Sequence, residues 1–216
     1  MRKELKETIR AFNISAKDYQ KTIAALSNYD QSYAYFFGLL HSSDTILDLG
    51  CGPANISLQL KKTLPDIHIT GIDLSQEMIG LAKKNIPDGH FLLGDAITYK
   101  TDKPFDSIII GFTLPFLTLS EIDTLFSNTN HNLGRSGYLY LSFMEGEMVR
   151  HERPSFNKSV QIYFHYHNCS SIRKKLHDNG FMIVEEWSLD YFDSDGSVTK
   201  DIVIIAQKQR SKDAIR

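Results

Sequence analysis

The chain has 216 residues, 42% of them hydrophobic and 23% charged, with a formal net charge of -2. This is ordinary globular usage, sized for one α/β domain rather than two independent cores, and it excludes a fibrous or disordered class. The slightly negative balance excludes the global cationic field that draws proteins onto phosphate backbones, so no nucleic-acid partner is expected.

The basic pairs Lys61-Lys62, Lys83-Lys84 and Lys174-Lys175 fall in helical patterns and read as solvated faces. Met1 to Asn13 alternates charge with single apolar residues and lacks the continuous apolar core of a signal peptide. No apolar run approaches the roughly 20 residues that span a bilayer, so no membrane partner is expected. Cys51 and Cys169 fit a reducing compartment better than a disulfide scaffold, and a cytoplasmic protein is the expectation.

In chain order, Ala16 to Leu40 carries apolar and aromatic residues at three- and four-residue spacings, which predicts one or two leading helices. Thr45 to Leu49 is short, apolar and β-branched, and is followed by Gly50-Cys51-Gly52 and a helical stretch from Ala54 to Thr63. Pro65 ends that helix, and Ile67 to Asp73 forms a second strand ending on a carboxylate. Ser75 is a candidate N-cap for a helix whose inner face holds Met78, Ile79 and Ala82. The alternation continues with strands at His90–Leu93 and Phe105–Ile110, a helix over Ser120–His131, a turn at Gly134-Arg135-Ser136-Gly137 and a strand over Tyr138–Phe143. Strands separated by helices predict a doubly wound, mostly parallel sheet. Ser170 to Asn179 reads as a helix capped by Gly180, after which Phe181–Leu189 and Val198–Ala206 leave no room for a helix between them. They should form an antiparallel hairpin turning at Asp193-Ser194-Asp195-Gly196.

In an open parallel sheet, ligands bind beyond the carboxyl ends of the strands near the switch in strand order. Three signals fall there. In Asp48-Leu49-Gly50-Cys51-Gly52 the glycines permit a tight turn and close approach of a ligand to the backbone. Asp73, about twenty residues on, can accept both hydroxyls of an adenosine ribose. Asp95, in Gly94-Asp95-Ala96, can accept from an exocyclic amino group. Together they point to an adenosine-bearing ligand. Asn55 replaces the third glycine of a nicotinamide site, and Asp48 would repel a pyrophosphate but attract an ammonium group.

With these motifs the sequence resembles the class I S-adenosylmethionine-dependent methyltransferases, from about Tyr19 to the last strand. Ile46 to Gly52 is similar to the family's first motif, Asp73 to Met78 to its acidic second motif, Gly94-Asp95-Ala96 to its third, and Phe105 to Ile110 to its fourth strand. The turn Leu133-Gly134-Arg135-Ser136-Gly137-Tyr138 resembles the usual L-x-P-G-G-x. The resemblance implies a Rossmann-like, seven-stranded sheet and a cofactor, S-adenosylmethionine, leaving as S-adenosylhomocysteine. It places Gly50, Cys51 and Gly52 along the methionyl part, Asp48 near its ammonium group and Asp73 on the ribose. Leu74 and Met78 would flank the adenine, Asp95 and Ala96 face its edge, Phe112 lie close to the sulfonium and Tyr19 close over the cofactor. The resemblance also makes residues 1–43 a helical lid on a core of residues 44–207, with an insertion at 145–168 and a frayed tail at 208–216.

Such a reaction requires alignment of a nucleophile and exclusion of water, and no metal. A base matters only where the acceptor must lose a proton, and Glu145, His151 and His165 are the candidates. His165, His167 and Cys169 have an H-x-H-x-C spacing that could suggest a metal, but packed or solvent-facing histidines are the commoner meaning. Thr113-Leu114-Pro115-Phe116 stands where methyltransferases of bases and glutamine carry N-P-P-Y, without the carboxamide. The expected reaction is methylation of an O, N or C atom of a small metabolite by a monomer or homodimer. Methylation of protein or RNA, or binding of an S-adenosyl ligand without turnover, are the rivals.

Overall fold

The structure is a computed structural model describing residues 1–192 and 198–209. Two helices lead, α1 (Lys3–Ala24) and α2 (Asp30–Gly38). The core then alternates β1 (Thr45–Leu49), α3 (Asn55–Thr63), β2 (His68–Asp73), α4 (Gln76–Asn85), β3 (His90–Leu93), β4 (Phe105–Gly111), α5 (Leu119–Asn132) and β5 (Leu133–Met144). A hairpin of β6 (Val149–Glu152) and β7 (Ile162–His165) follows, and α6 (Cys169–Asp178), β8 (Phe181–Phe192) and β9 (Val198–Lys208) complete the chain.

Seven strands form one sheet in the order β3-β2-β1-β4-β5-β9-β8, and β6 and β7 form a separate two-stranded ribbon. The first five strands of the sheet are parallel, while β9 runs antiparallel to both β5 and β8. The predicted doubly wound sheet with a terminal antiparallel hairpin is the architecture observed.

Buried strands alternate which face they feed. Leu47, Leu49, Ile108, Ile110, Leu139 and Leu141 point to one side, where Ile122, Leu125 and Phe126 of α5 and Ile172 and Leu176 of α6 meet them. Ile46, Ile109, Tyr140, Val203 and Ile205 point to the other, against Phe36 and Phe37 of α2, Leu60 of α3 and Ile79 and Ala82 of α4. Each fully buried side chain of this size contributes about 1.5–3 kcal/mol by leaving water, so both layers are fixed by burial and the C-terminal edge of the sheet is left for function.

Helix α1 begins at Lys3, ahead of the apolar pattern that starts at Ala16; its buried positions include Thr8, Ala11 and Ser15, which are too small or polar to mark a face. Two expectations are corrected. The turn at Gly134–Gly137 is instead part of β5, with Ser136 at φ 59° and the ladder to β4 shifting register between Phe105 and Ser107. A Cβ on Gly137 would lie 2.6 Å from the Asp106 carbonyl oxygen, so glycine here serves strand contact. The tail expected to fray from residue 208 is ordered at its start: Lys208 ends β9 and donates to the carbonyls of Asn130 and Leu133. The turn at Asp193-Ser194-Asp195-Gly196 and residues 210–216 lie outside the described residues.

Candidate active site

The turn after β1 is held by its own hydrogen bonds. Gly50 and Cys51 both donate their N–H to the Ile72 carbonyl, at 2.8 and 3.0 Å, and Gly52 donates to Asp73 Oδ2 at 2.8 Å. The turn therefore offers a ligand room rather than free N–H groups. Gly50 sits at φ 74°, and a Cβ there would lie 2.1 Å from the Thr113 hydroxyl, which itself donates to the Leu49 carbonyl at 2.9 Å. Only glycine fits this crossing of the β1 and β4 ends.

Asp73 closes β2. Its Oδ1 accepts from Ser75 N–H at 2.8 Å, and each carboxylate oxygen, holding one backbone donor, keeps a lone pair for a second. Burial raises its pKa while the backbone donors oppose the shift. Ser75 caps α4 as expected, accepting from Met78 N–H, and donates to Asn13 of α1 at 2.7 Å.

Around these groups lies a cavity, partly open to solvent, bounded by Gly50, Gly52, Asp73, Leu74, Met78, Asp95, Ala96 and Phe112. Leu5, Thr8, Ile9, Phe12 and Tyr19 of α1 roof it. The structure thus brings together, at one cavity, nine of the eleven residues expected at a cofactor: Tyr19 and all those named except Asp48 and Cys51. Those two stand behind it. Asp48 is 3% exposed, accepts from the Ser57 hydroxyl at 2.5 Å, and is pushed up to about 7 chiefly by burial and also by the Asp73 charge. Cys51 packs its sulfur against Gly71, and burial pushes its thiol well up, the reverse of a reactive cysteine.

A second cavity, also partly open, lies beside the first, and Tyr19 and Phe112 line both. Phe112 has φ 50°, uncommon for a bulky residue, and is held there by its N–H donating to the Ser142 hydroxyl at 2.9 Å. The roof is an aromatic cluster in which Phe12 meets Tyr19, Phe116 and Phe156 at ring-centre distances of 5.3, 5.2 and 5.8 Å. Phe156 comes from the 145–168 segment, so this segment and α1 close over the same place.

None of the three expected bases reaches either cavity. In the β6–β7 ribbon, His151 pairs with Tyr163 and Arg150 with Phe164, and alternation sends Arg150, Glu152 and Phe164 into the second cavity and His151 and His165 away from it. His151 is exposed and stacks on Tyr163 at 4.0 Å. His165 faces a shallow cleft with Thr118 and His167, its pKa lowered by burial first and then by Arg2. Glu145 donates its N–H to the Lys200 carbonyl and lies outside both cavities. The H-x-H-x-C residues do not converge, because His167 Nε2 meets the Leu114 carbonyl and the Cys169 thiol donates to Glu186. Among the described residues no group of three His, Cys, Asp or Glu could hold a metal.

Sequence reasoning missed the polar groups that do line the second cavity: Tyr29, Arg150, Glu152, Arg153, Lys158 and Asp201. Tyr29 donates to Asp201 Oδ2 at 2.5 Å, and both are buried. An aspartate at the head of the apolar run of β9 was the available signal, but its partner lies 172 residues away.

Residues 46–137 match a family described as a methyltransferase domain. A malonyl-[acyl-carrier protein] O-methyltransferase of Bacillus anthracis is 31% identical over 162 residues, which is 70% of this chain and 58% of that protein. The chain spans about half the length of the curated relatives it matches. Among solved structures, an S-adenosylmethionine-dependent methyltransferase from Methanosarcina mazei superposes with a TM-score of 0.71 at 22% identity, over 86% of this chain and 99% of the other. The 1,6-didemethyltoxoflavin-N1-methyltransferase of Burkholderia thailandensis, solved with its substrate and S-adenosylhomocysteine, also gives 0.71, at 15% identity over 94% and 87% of the two chains. No described helix is long and apolar enough to cross a membrane. Sheet order, glycine turn, terminal acid of β2 and matched span all agree with those of the class I S-adenosylmethionine-dependent methyltransferases, the family this chain resembles in sequence and fold.

Proposed function

We propose that this protein is an enzyme that moves the methyl group of S-adenosylmethionine to an O, N or C atom of a small metabolite, leaving S-adenosylhomocysteine. The observation that carries the reading is the wall of Tyr19 and Phe112 shared by two adjoining cavities, one with adenosine-binding chemistry and one without. When bound, the cofactor supplies an already activated methyl group. In the first cavity, which all five residues line, Asp73 would hold the ribose on the lone pairs its backbone donors leave, Leu74 and Met78 would flank the adenine, and Asp95 and Ala96 would face its edge. Gly50 and Gly52 leave space for the methionyl chain, and Asp48, one layer behind, contributes negative charge favourable to its ammonium group. The aromatic roof excludes water from the reacting atoms.

The acceptor side is the second cavity, between α1 and residues 145–168. Relatives named for an acyl-carrier-bound malonyl group and for a small heterocycle support an organic acceptor of modest size. The enzyme is read as a cytoplasmic monomer or homodimer.

Calorimetric titration with S-adenosylmethionine and S-adenosylhomocysteine tests the reading. Micromolar binding is expected, weakened at least a hundredfold in Asp73→Ala, because two hydrogen bonds to a charged acceptor are lost at about 1.5–3 kcal/mol each. Asp48→Ala should weaken it less. Absence of binding, or binding indifferent to Asp73, would remove the methyltransferase reading.

A further inference from the structure

The second cavity is polarised along its length. At its mouth, on and after β6, stand Arg150, Arg153 and Lys158, all exposed. None of the three forms an ion pair with any described residue. Arg150 instead stands over the Tyr166 ring, 5.0 Å from its centre, with Nε donating to the Met148 sulfur, and Lys158 donates to the Arg153 carbonyl at 3.4 Å. At the inner end the signs reverse. Asp201 is 3% exposed and Tyr29 4%, and the Tyr29 ring meets Phe112 edge-on at 5.3 Å, at the wall facing the first cavity. Glu152 accepts from the Tyr166 hydroxyl between the two ends. Tyr29 is held protonated by burial and by the Asp201 charge beside it.

We infer that the second cavity takes a carboxylate-bearing acceptor that lies with its carboxylate at the Arg150–Arg153–Lys158 mouth and a hydroxyl or amino group inward, against Asp201. This rests on the methyltransferase reading and goes further by naming the acceptor's charge and orientation. Three cations against the carboxylates of Glu152 and Asp201 leave one net positive charge in the cavity, which suits a monoanion better than a phosphate dianion. A carboxylate turned inward would meet Asp201, so it is not the group methylated. A protic nucleophile is instead favoured there, because a carboxylate accepts its hydrogen bond. In the transfer, the bond from oxygen or nitrogen to the methyl carbon forms as the methyl–sulfur bond breaks. The sulfur keeps that electron pair, and the proton of the acceptor passes to Asp201, from which it returns to solvent after product leaves. Asp201 thereby serves as the base, with Tyr29 fixing its orientation.

The test uses the full chain saturated with S-adenosylhomocysteine and a panel of hydroxy- and amino-substituted benzoic and alkanoic acids, each beside its methyl ester. Acids are expected to bind at least tenfold tighter than their esters. The exposed double variant Arg153→Gln/Lys158→Gln should remove most of that preference while leaving ester affinity within about twofold. With S-adenosylmethionine, mass spectrometry should find the new methyl on oxygen or nitrogen of the hydroxyl or amino group. Asp201→Asn should lower turnover at least a hundredfold with acid affinity kept within about threefold, a split that loss of packing alone would not give. Acids that bind no better than esters, or not at all, a methyl found on the carboxylate, or turnover surviving in Asp201→Asn would each overturn the proposal. Failure of S-adenosylhomocysteine itself to bind would instead strike the underlying reading.

Discussion

A carboxyl group stripped of water gains a proton, and Asp48 shows the consequence: its pKa rises from 3.8 to about 7. Between those values the folded chain holds a proton that the unfolded chain has released, so this group's contribution is full below about pH 4 and is lost as pH rises through 7. Asp48→Asn, which keeps an oxygen for the Ser57 hydroxyl, should stabilise the ligand-free protein by about 4 kcal/mol at pH 8 and by little at pH 4; chemical denaturation at the two pH values checks this. The same charge attracts a cationic ligand, so S-adenosylmethionine affinity should fall as pH drops below 7, and less steeply in the variant. Gly50→Ala combines a left-handed backbone with a 2.1 Å collision against Thr113, and should lose about 2–4 kcal/mol in denaturant titration. Both residues were legible in the sequence as types and spacings. That Asp48 stands behind the cavity was not, since only the strand's neighbours decide which way its side chain faces.

Among the elements, α1 acts as a strap. Arg2 clasps Glu121 through its Nε and Nη2 at 2.9 and 2.8 Å and donates to the Phe116 carbonyl, while Asn13 receives the Ser75 hydroxyl and Ser15 receives Asn157. Glu121 is already engaged in the capping box with Thr118, so the strap is fastened to a rigid helix start. Arg2→Ala should leave the sheet intact but loosen the roof. Hydrogen exchange over residues 3–15 should quicken, and S-adenosylhomocysteine should dissociate several-fold faster in stopped flow. The strands were readable because apolar β-branched runs bounded by glycine and proline leave few alternatives, as in Thr45–Leu49 and Phe105–Gly111. The strap was not, because its buried positions include Thr8, Ala11 and Ser15, while its large side chains Phe12 and Tyr19 are spent on the cavity. The β6–β7 ribbon hid for a related reason: a shift of one residue along a strand flips every face, and the turn signals Pro154 and Asn157 do not fix that register.

At the scale of the molecule, two cavities share a wall and a roof built from opposite ends of the chain. Ligand binding to the folded state alone should stabilise it, by about 2.7 kcal/mol at a hundredfold excess over Kd. A matching rise in melting temperature with S-adenosylhomocysteine, absent in Asp73→Ala, would register it. The common roof also dictates a sequence of events. Phe156 packs on both Phe12 and Tyr19, so an acceptor seated beneath residues 153–158 bars the way past α1. Steady-state kinetics should therefore be compulsory-ordered, cofactor first and S-adenosylhomocysteine last. That product should inhibit competitively against S-adenosylmethionine alone, so that at any given supply of acceptor the ratio of the two compounds would tune the proposed transfer.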